Sequence, residues 1–196
     1  DLLLKEEEKG SLVKAKKNYV NEIISLIILL DVSGSMRGTE NDIYQGLKSL
    51  INKHKDDNIL LSFIAFNDDR YTLLDDAPID IAHISKIDPI GGTNLNGSLF
   101  YALNEKCSTG INLLVTISDG DDTENVRKAL RSKMNSDNHF FFLGEANIWQ
   151  TPEDVYQNAH ELGFEEEHIA VFTRKGNGNK LNFAVISNML EELIYN

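Results

Sequence analysis

The chain has 196 residues, 41% hydrophobic and 26% charged, enough for one sizeable core in an ordinary globular protein. Its net charge of −12 argues against nucleic acid and against an anionic membrane surface, both of which recognise clustered Lys and Arg, so the acidity reads first as solubility. No apolar run approaches ~18 residues and no signal peptide is visible. Cys107 is the only cysteine, which excludes an internal disulfide and suits a reducing, cytoplasmic compartment.

Residues 1–22 read as an N-terminal arm or linker, with a charge run from Lys5 to Lys9 and only weak apolar periodicity. The chain starts at Asp1 rather than Met, as an excised domain or a processed product would, and residues 23–196 read as one domain. Seven of the eight residues from Ile23 to Leu30 are apolar and none is Pro or Gly, which predicts a strand buried on both faces. It ends abruptly in Asp31, followed by Ser33, Gly34 and Ser35. Thr39 is placed to cap a helix with Asp42 at the third position of its first turn, and Ile43, Leu47, Leu50 and Ile51 follow at helical spacing. A second buried strand over 59–66 meets a tight turn at Asn67-Asp68-Asp69, and a short strand over 71–74 pairs back as an antiparallel edge.

Residues 75–95 form a long connection with one helical turn around Ile81 to Ile84, and connections this long are often functional. It ends in Gly91-Gly92-Thr93-Asn94, a shaped loop that delivers Thr93. A helix follows with Leu95, Leu99, Phe100 and Leu103 on one face, and Cys107 packs beside Leu103. A buried strand over 111–118 also ends in a carboxylate, within Ser118-Asp119-Gly120. Thr123 caps the next helix, which carries Val126, Ala129, Leu130 and Met134, and a strand covers 140–143. Thr151-Pro152-Glu153-Asp154 is a strong helix start; Val155, Ala159 and Leu162 face inward and Gly163 stops the helix. A strand over 169–173, a Gly- and Asn-rich loop over 174–180 and a terminal helix over 181–194 complete the chain.

Strands alternating with helices predict an α/β fold: a doubly wound open sheet of about six strands, mostly parallel with one antiparallel edge strand, and helices on both faces. In such sheets the ligand crevice lies beyond the strand C-termini, where the connections diverge. The strand over 111–118 should neighbour the one over 23–31, which sets Asp31 beside Asp119, with Thr93 entering from the loop just before. Asp31, Ser33 and Ser35 are hard oxygen donors at spacing i, i+2, i+4, the type that suits Mg²⁺ or Mn²⁺.

Asp31-Val32-Ser33-Gly34-Ser35-Met36, Gly92-Thr93 and Ser118-Asp119-Gly120 together resemble a von Willebrand factor type A (vWA) domain with a complete metal-ion-dependent adhesion site (MIDAS). The resemblance covers roughly residues 23–194, and the segment from Phe142-Leu143-Gly144 to the closing helix is similar to stand-alone bacterial and phage members, including tellurite-resistance-associated ones. It implies that Ser33 and Ser35 bind Mg²⁺ directly, that Asp31 and Asp119 bind it directly or hold its waters, and that Thr93 binds directly or through water. It also implies a metal-dependent protein-recognition surface, in which a partner Glu or Asp fills an open coordination position.

Plainer readings stand beside these. Asp31 can cap a turn and Thr93 can lead a helix. Asp121 and Asp122 read as a solvated acidic turn, and Arg37 as a surface charge before a greeting for a partner carboxylate. The five histidines, His54, His83, His139, His160 and His168, are scattered without metal-ligand spacing. An alternative function is a Mg²⁺-dependent phosphoryl-transfer hydrolase using Asp31, although Ser33 stands where such enzymes usually carry a second Asp; another is a scaffold braced by its metal.

Overall fold

The computed structural model describes residues 22–84, 87–107, 110–120, 133, 137–147, 149–173 and 183–195. The N-terminal arm, the helix expected after Asp119 with its cap at Thr123, and the loop over 174–180 lie outside these.

Among the described residues a single sheet runs in the order β3-β2-β1-β4-β5-β6. Its strands are β1 (Ile24–Asp31), β2 (Ile59–Phe66), β3 (Arg70–Pro78), β4 (Ile111–Ser118), β5 (Asn138–Ala146) and β6 (Ile169–Thr173). All neighbours pair in parallel except β2 and β3, so the antiparallel strand lies at one edge as expected. The α-helices among the described residues are α1 (Glu40–His54), α2 (Leu95–Tyr101), α3 (Pro152–Leu162) and α4 (Ala184–Tyr195).

Alternation along β1 divides the core between the two faces. Leu26, Ile28 and Leu30 join Ile43 and Leu47 of α1 and Ile186 and Leu190 of α4. Ile27 and Leu29 join Leu95 and Leu99 of α2 and Val155, Ala159 and Leu162 of α3. Each of these Leu, Ile and Val side chains contributes about 1.5–3 kcal/mol by leaving water. A strand fed on both sides by that term has its register fixed, since a one-residue slip would exchange the two faces. The register levels Asp31 with Phe66 on one side and Leu30 with Ile117 on the other, so β1 and β4 finish together.

Several local expectations need correction. Thr39 occupies the N-cap of α1 but makes no side-chain cap; its hydroxyl donates to the Met36 carbonyl at 2.7 Å. β3 runs to Pro78 rather than stopping at residue 74, with register shifts opposite Leu61 to Ile64. The turn in the long connection is a 3-10 turn at Ile79–Ile81, earlier than expected. Phe100 is 41% exposed rather than on the inward face, because the buried stripe of Leu95, Leu99, Ala102 and Leu103 already fills the i, i+4, i+7, i+8 positions. The start of α3 is as read: Thr151 and Asp154 form a reciprocal capping box, and Gly163 ends the helix at φ 111°.

Candidate metal centre

β1 carries Asp31 to the end of the sheet with no exposed surface. One carboxylate oxygen accepts the Ser33 amide at 2.8 Å, and the other accepts the Ser118 hydroxyl at 2.6 Å, a charge-assisted length. Ser118 in turn accepts the Gly120 amide at 3.1 Å, tying the end of β4 to the end of β1. Burial pushes the Asp31 carboxyl up to about 6; hydrogen bonds from Ser118 and Ser33 oppose the rise, and the neighbouring Asp119 adds to it.

After Asp31 the chain makes a 3-10 turn, Gly34–Met36, pinned by the fully buried Met36. That turn brings the hydroxyls of Ser33 and Ser35 within 3.0 Å of each other. Asp119, at the end of β4, is also fully buried, and Asn147 donates to its carboxylate at 3.2 Å. Gly120 follows at φ 79°, a left-handed conformation that turns the chain away where a side chain would be strained.

The segment bearing Thr93 lies against this group along its backbone. The Ile90 amide donates to the Val32 carbonyl at 2.8 Å, and the Gly34 amide donates to the Gly91 carbonyl at 3.0 Å. Thr93 itself is half-buried. Asp31, Ser33, Ser35 and Asp119 therefore meet at one end of the sheet, with the Thr93 segment bonded to the same turn. Arg37 instead reaches the Pro89 carbonyl at 3.4 Å, and Asp121 and Asp122 lie outside the described residues.

The donor set consists of hydroxyl and carboxylate oxygens, which suits a hard divalent ion. The 3.0 Å between the Ser33 and Ser35 hydroxyls is a hydrogen bond, which holds the two oxygens together on one side of the turn.

Four residues here escape a sequence reading that stops at the motif. Ser118 stands in the motif without a role of its own, yet it donates to Asp31. Asn67 and Asp68 read as a turn, yet both bond the Thr93 segment. Asn147 carries no sequence signal, since only the adjacency of β4 and β5 brings it to Asp119. Elsewhere, His168 shares a surface turn with Glu165 and Glu167, their ligand atoms within 4.8 Å of one another; such exposed groups are common without an ion.

No family model matches the chain. By sequence it is similar to the inter-alpha-trypsin inhibitor heavy chain H2 of Mus musculus, 28% identical over 144 residues. That match takes in 61% of this chain and only 15% of the heavy chain. By structure it is similar to the vWF domain of the type V pili tip protein Mfa5 from Porphyromonas gingivalis, with a TM-score of 0.61, 12% identity, and coverage of 89% of this chain and 97% of that one. It is also similar to proximal thread matrix protein 1 from the mussel byssus with a zinc-occupied MIDAS motif, with a TM-score of 0.56, 14% identity, and coverage of 89% and 45% respectively. The fold is thus vWA-like, and among the described residues no helix is long and apolar enough to cross a membrane.

Proposed function

We propose that this domain is a protein-binding module with a complete MIDAS, in which Mg²⁺, or Mn²⁺ in its place, bridges to a Glu or Asp of a protein partner. Ser33 and Ser35 bind the ion through their hydroxyls, Asp31 and Asp119 bind it or hold its waters, and Thr93 binds directly or through water. The carrying observation is the paired hydroxyls of Ser33 and Ser35, 3.0 Å apart, beside two buried carboxylates at the strand C-termini. The charge count supports it further. Two carboxylates balance one divalent ion, hydroxyls add geometry but no charge, and a metal so supplied accepts an outside anion in place of water. When bound, the ion supplies that anion-accepting position. The protein holds the ligands in place and keeps Asp31 out of bulk solvent.

The zinc-occupied MIDAS of the mussel protein supports a divalent ion at a site of this kind. The hydroxyl-rich donor set favours Mg²⁺ or Mn²⁺ over zinc. A binding role fits Asp31 better than nucleophilic catalysis does, because both of its carboxylate oxygens already accept hydrogen bonds in a fully buried setting. A reducing, cytoplasmic setting belongs to the same proposal and rests on the lone cysteine.

The test is calorimetry with MgCl₂, MnCl₂ and CaCl₂, followed by water proton relaxation of the Mn²⁺-loaded protein titrated with a Glu-containing peptide and its Gln counterpart. Mg²⁺ and Mn²⁺ should bind more tightly than Ca²⁺, and an ion at one hundred times its Kd should add about 2.7 kcal/mol of stability. The Glu peptide alone should displace metal-bound water, and the double variant Ser33→Ala with Ser35→Ala should fold yet lose both responses. A preference for Ca²⁺, or equal responses to Glu and Gln, would refute the bridge.

A further inference from the structure

Three strands meet at the metal centre, but β2 sends no ligand to it. What β2 sends is the turn Asn67-Asp68-Asp69, and that turn grips the Thr93 segment on both sides. On the upstream side the Asn67 side-chain amide donates to the Ile90 carbonyl at 3.0 Å. On the downstream side the Asn94 amide donates to the Asn67 carbonyl at 2.7 Å. Between these anchors Asp68 accepts the Gly92 amide at 2.9 Å. Asn67 is itself held, since its side-chain oxygen accepts the Asp69 amide at 2.9 Å and its backbone amide donates to the Asp69 carbonyl at 2.9 Å.

The glycines explain why a grip is needed and how it is accommodated. Gly91 at φ 84° and Gly92 beside it form the most conformationally free backbone at the centre, and an unrestrained Thr93 would pay its ordering entropy when the ion binds. A Cβ on Gly91 would lie 2.6 Å from one Asp68 oxygen, and one on Gly92 would lie 2.5 Å from the other. The two glycines are therefore the space into which the Asp68 carboxylate fits.

We infer that Asn67 and Asp68 are positioning residues that hold the Thr93 segment ready for the cation; the inference rests on the metal-bridge reading above. Asp68 acts through its hydrogen bond to the Gly92 amide rather than through its charge. Because it is exposed and stands outside the core, its replacement leaves the fold intact.

Mn²⁺ affinity of the full chain separates these roles, measured with MnCl₂ on wild type, Asp68→Ala, Asp68→Asn, Thr93→Ala and the double variant Asp68→Ala with Thr93→Ala. Hydrogen exchange at the Gly92 amide is followed in the metal-free forms. Asp68→Ala should weaken Mn²⁺ about tenfold, and Asp68→Asn, which keeps an acceptor, should stay within about twofold of wild type. The double variant should bind no more weakly than Thr93→Ala alone, and Gly92 should exchange faster only where the acceptor is lost. Wild-type affinity in Asp68→Ala would overturn the role. So would an Asn variant as weak as the Ala variant, which assigns the effect to charge, or additive losses in the double variant, which place Asp68 outside the Thr93 segment. Failure of the wild type to bind Mn²⁺ is a separate result that removes the metal-bridge reading and this role with it.

Discussion

Where the parallel strands begin, His54 lies buried between Asp57 and Ser187; where they finish, Asp31 lies buried between Ser33 and Ser118. The bond counts are alike. The Asp57 carboxylate and the Ser187 hydroxyl each sit 2.8 Å from a His54 ring nitrogen. A carboxylate only accepts, so Nδ1 donates to Asp57 and Nε2 is left to pair with Ser187. That network closes on itself and ties the end of α1 to α4. At the other end two acids lie buried together, and the Asp119 charge adds to the burial that holds the Asp31 carboxyl up. A buried histidine that finds a partner for each ring nitrogen inside the chain serves the fold, whereas two acids buried together are the kind of group a cation would complete.

The sharpest way to break this contrast is Asp31→Asn. Loss of the charge should weaken Mg²⁺ at least ~1000-fold, equal to about 4 kcal/mol, as calorimetry would read. The metal-free variant should nevertheless melt above metal-free wild type at pH 8, because a desolvated charge is gone while an amide still pairs with Ser33 and Ser118. A variant that melts lower would show that the Asp31 end closes on itself as the His54 end does.

His54→Ala should do the reverse. Removing a side chain that is 1% exposed and bonded at both ring nitrogens should cost about 3–4 kcal/mol in chemical denaturation, yet leave Mg²⁺ affinity unchanged. A change in metal affinity would mean that the two ends are coupled through α1.

Titration with acid separates the ends most finely. The folded Asp31 carboxyl, raised to about 6 from 3.8, keeps a proton that the unfolded chain releases. Its contribution in the metal-free protein is thus fully present below the unfolded value and lost as pH rises through about 6. The loss is at most about 3 kcal/mol. Saturating Mg²⁺ should reverse the slope, since the ion binds the carboxylate and becomes more stabilising as pH rises through the same range. Denaturant melts from pH 4 to 8, with and without Mg²⁺, should diverge with rising pH; parallel curves would place the cation away from Asp31.

Much of the fold was legible because its determinants are local. Seven apolar residues leading to Asp31, and a similar run leading to Asp119, announce buried parallel strands, and the rule for doubly wound sheets sets their ends side by side. The capping box at Thr151 was legible for the same reason, its partners being three residues apart. Contacts that depend on distant chain were hidden. His54 meets Ser187 across 133 positions, and Asn147 reaches Asp119 only because β5 pairs with β4. Thr39 misled in a third way, because a hydroxyl that can cap a helix can equally bond the turn before it, and here the Met36 carbonyl claimed it.

Asn147 makes two further bonds, and in the first its side-chain nitrogen also donates to Gln150 at 3.3 Å. Its side-chain oxygen accepts the backbone amide of Trp149 at 2.7 Å while its nitrogen holds Asp119. Trp149 is the sole indole of the chain and stands 85% exposed, so its emission reports a watery surface. One carboxamide thus links the Asp119 carboxylate to the backbone amide of that residue. The domain therefore carries a single native tryptophan near its candidate centre, and its emission, recorded in unmodified protein as MgCl₂ is added, should shift if cation loading moves the Asn147 turn.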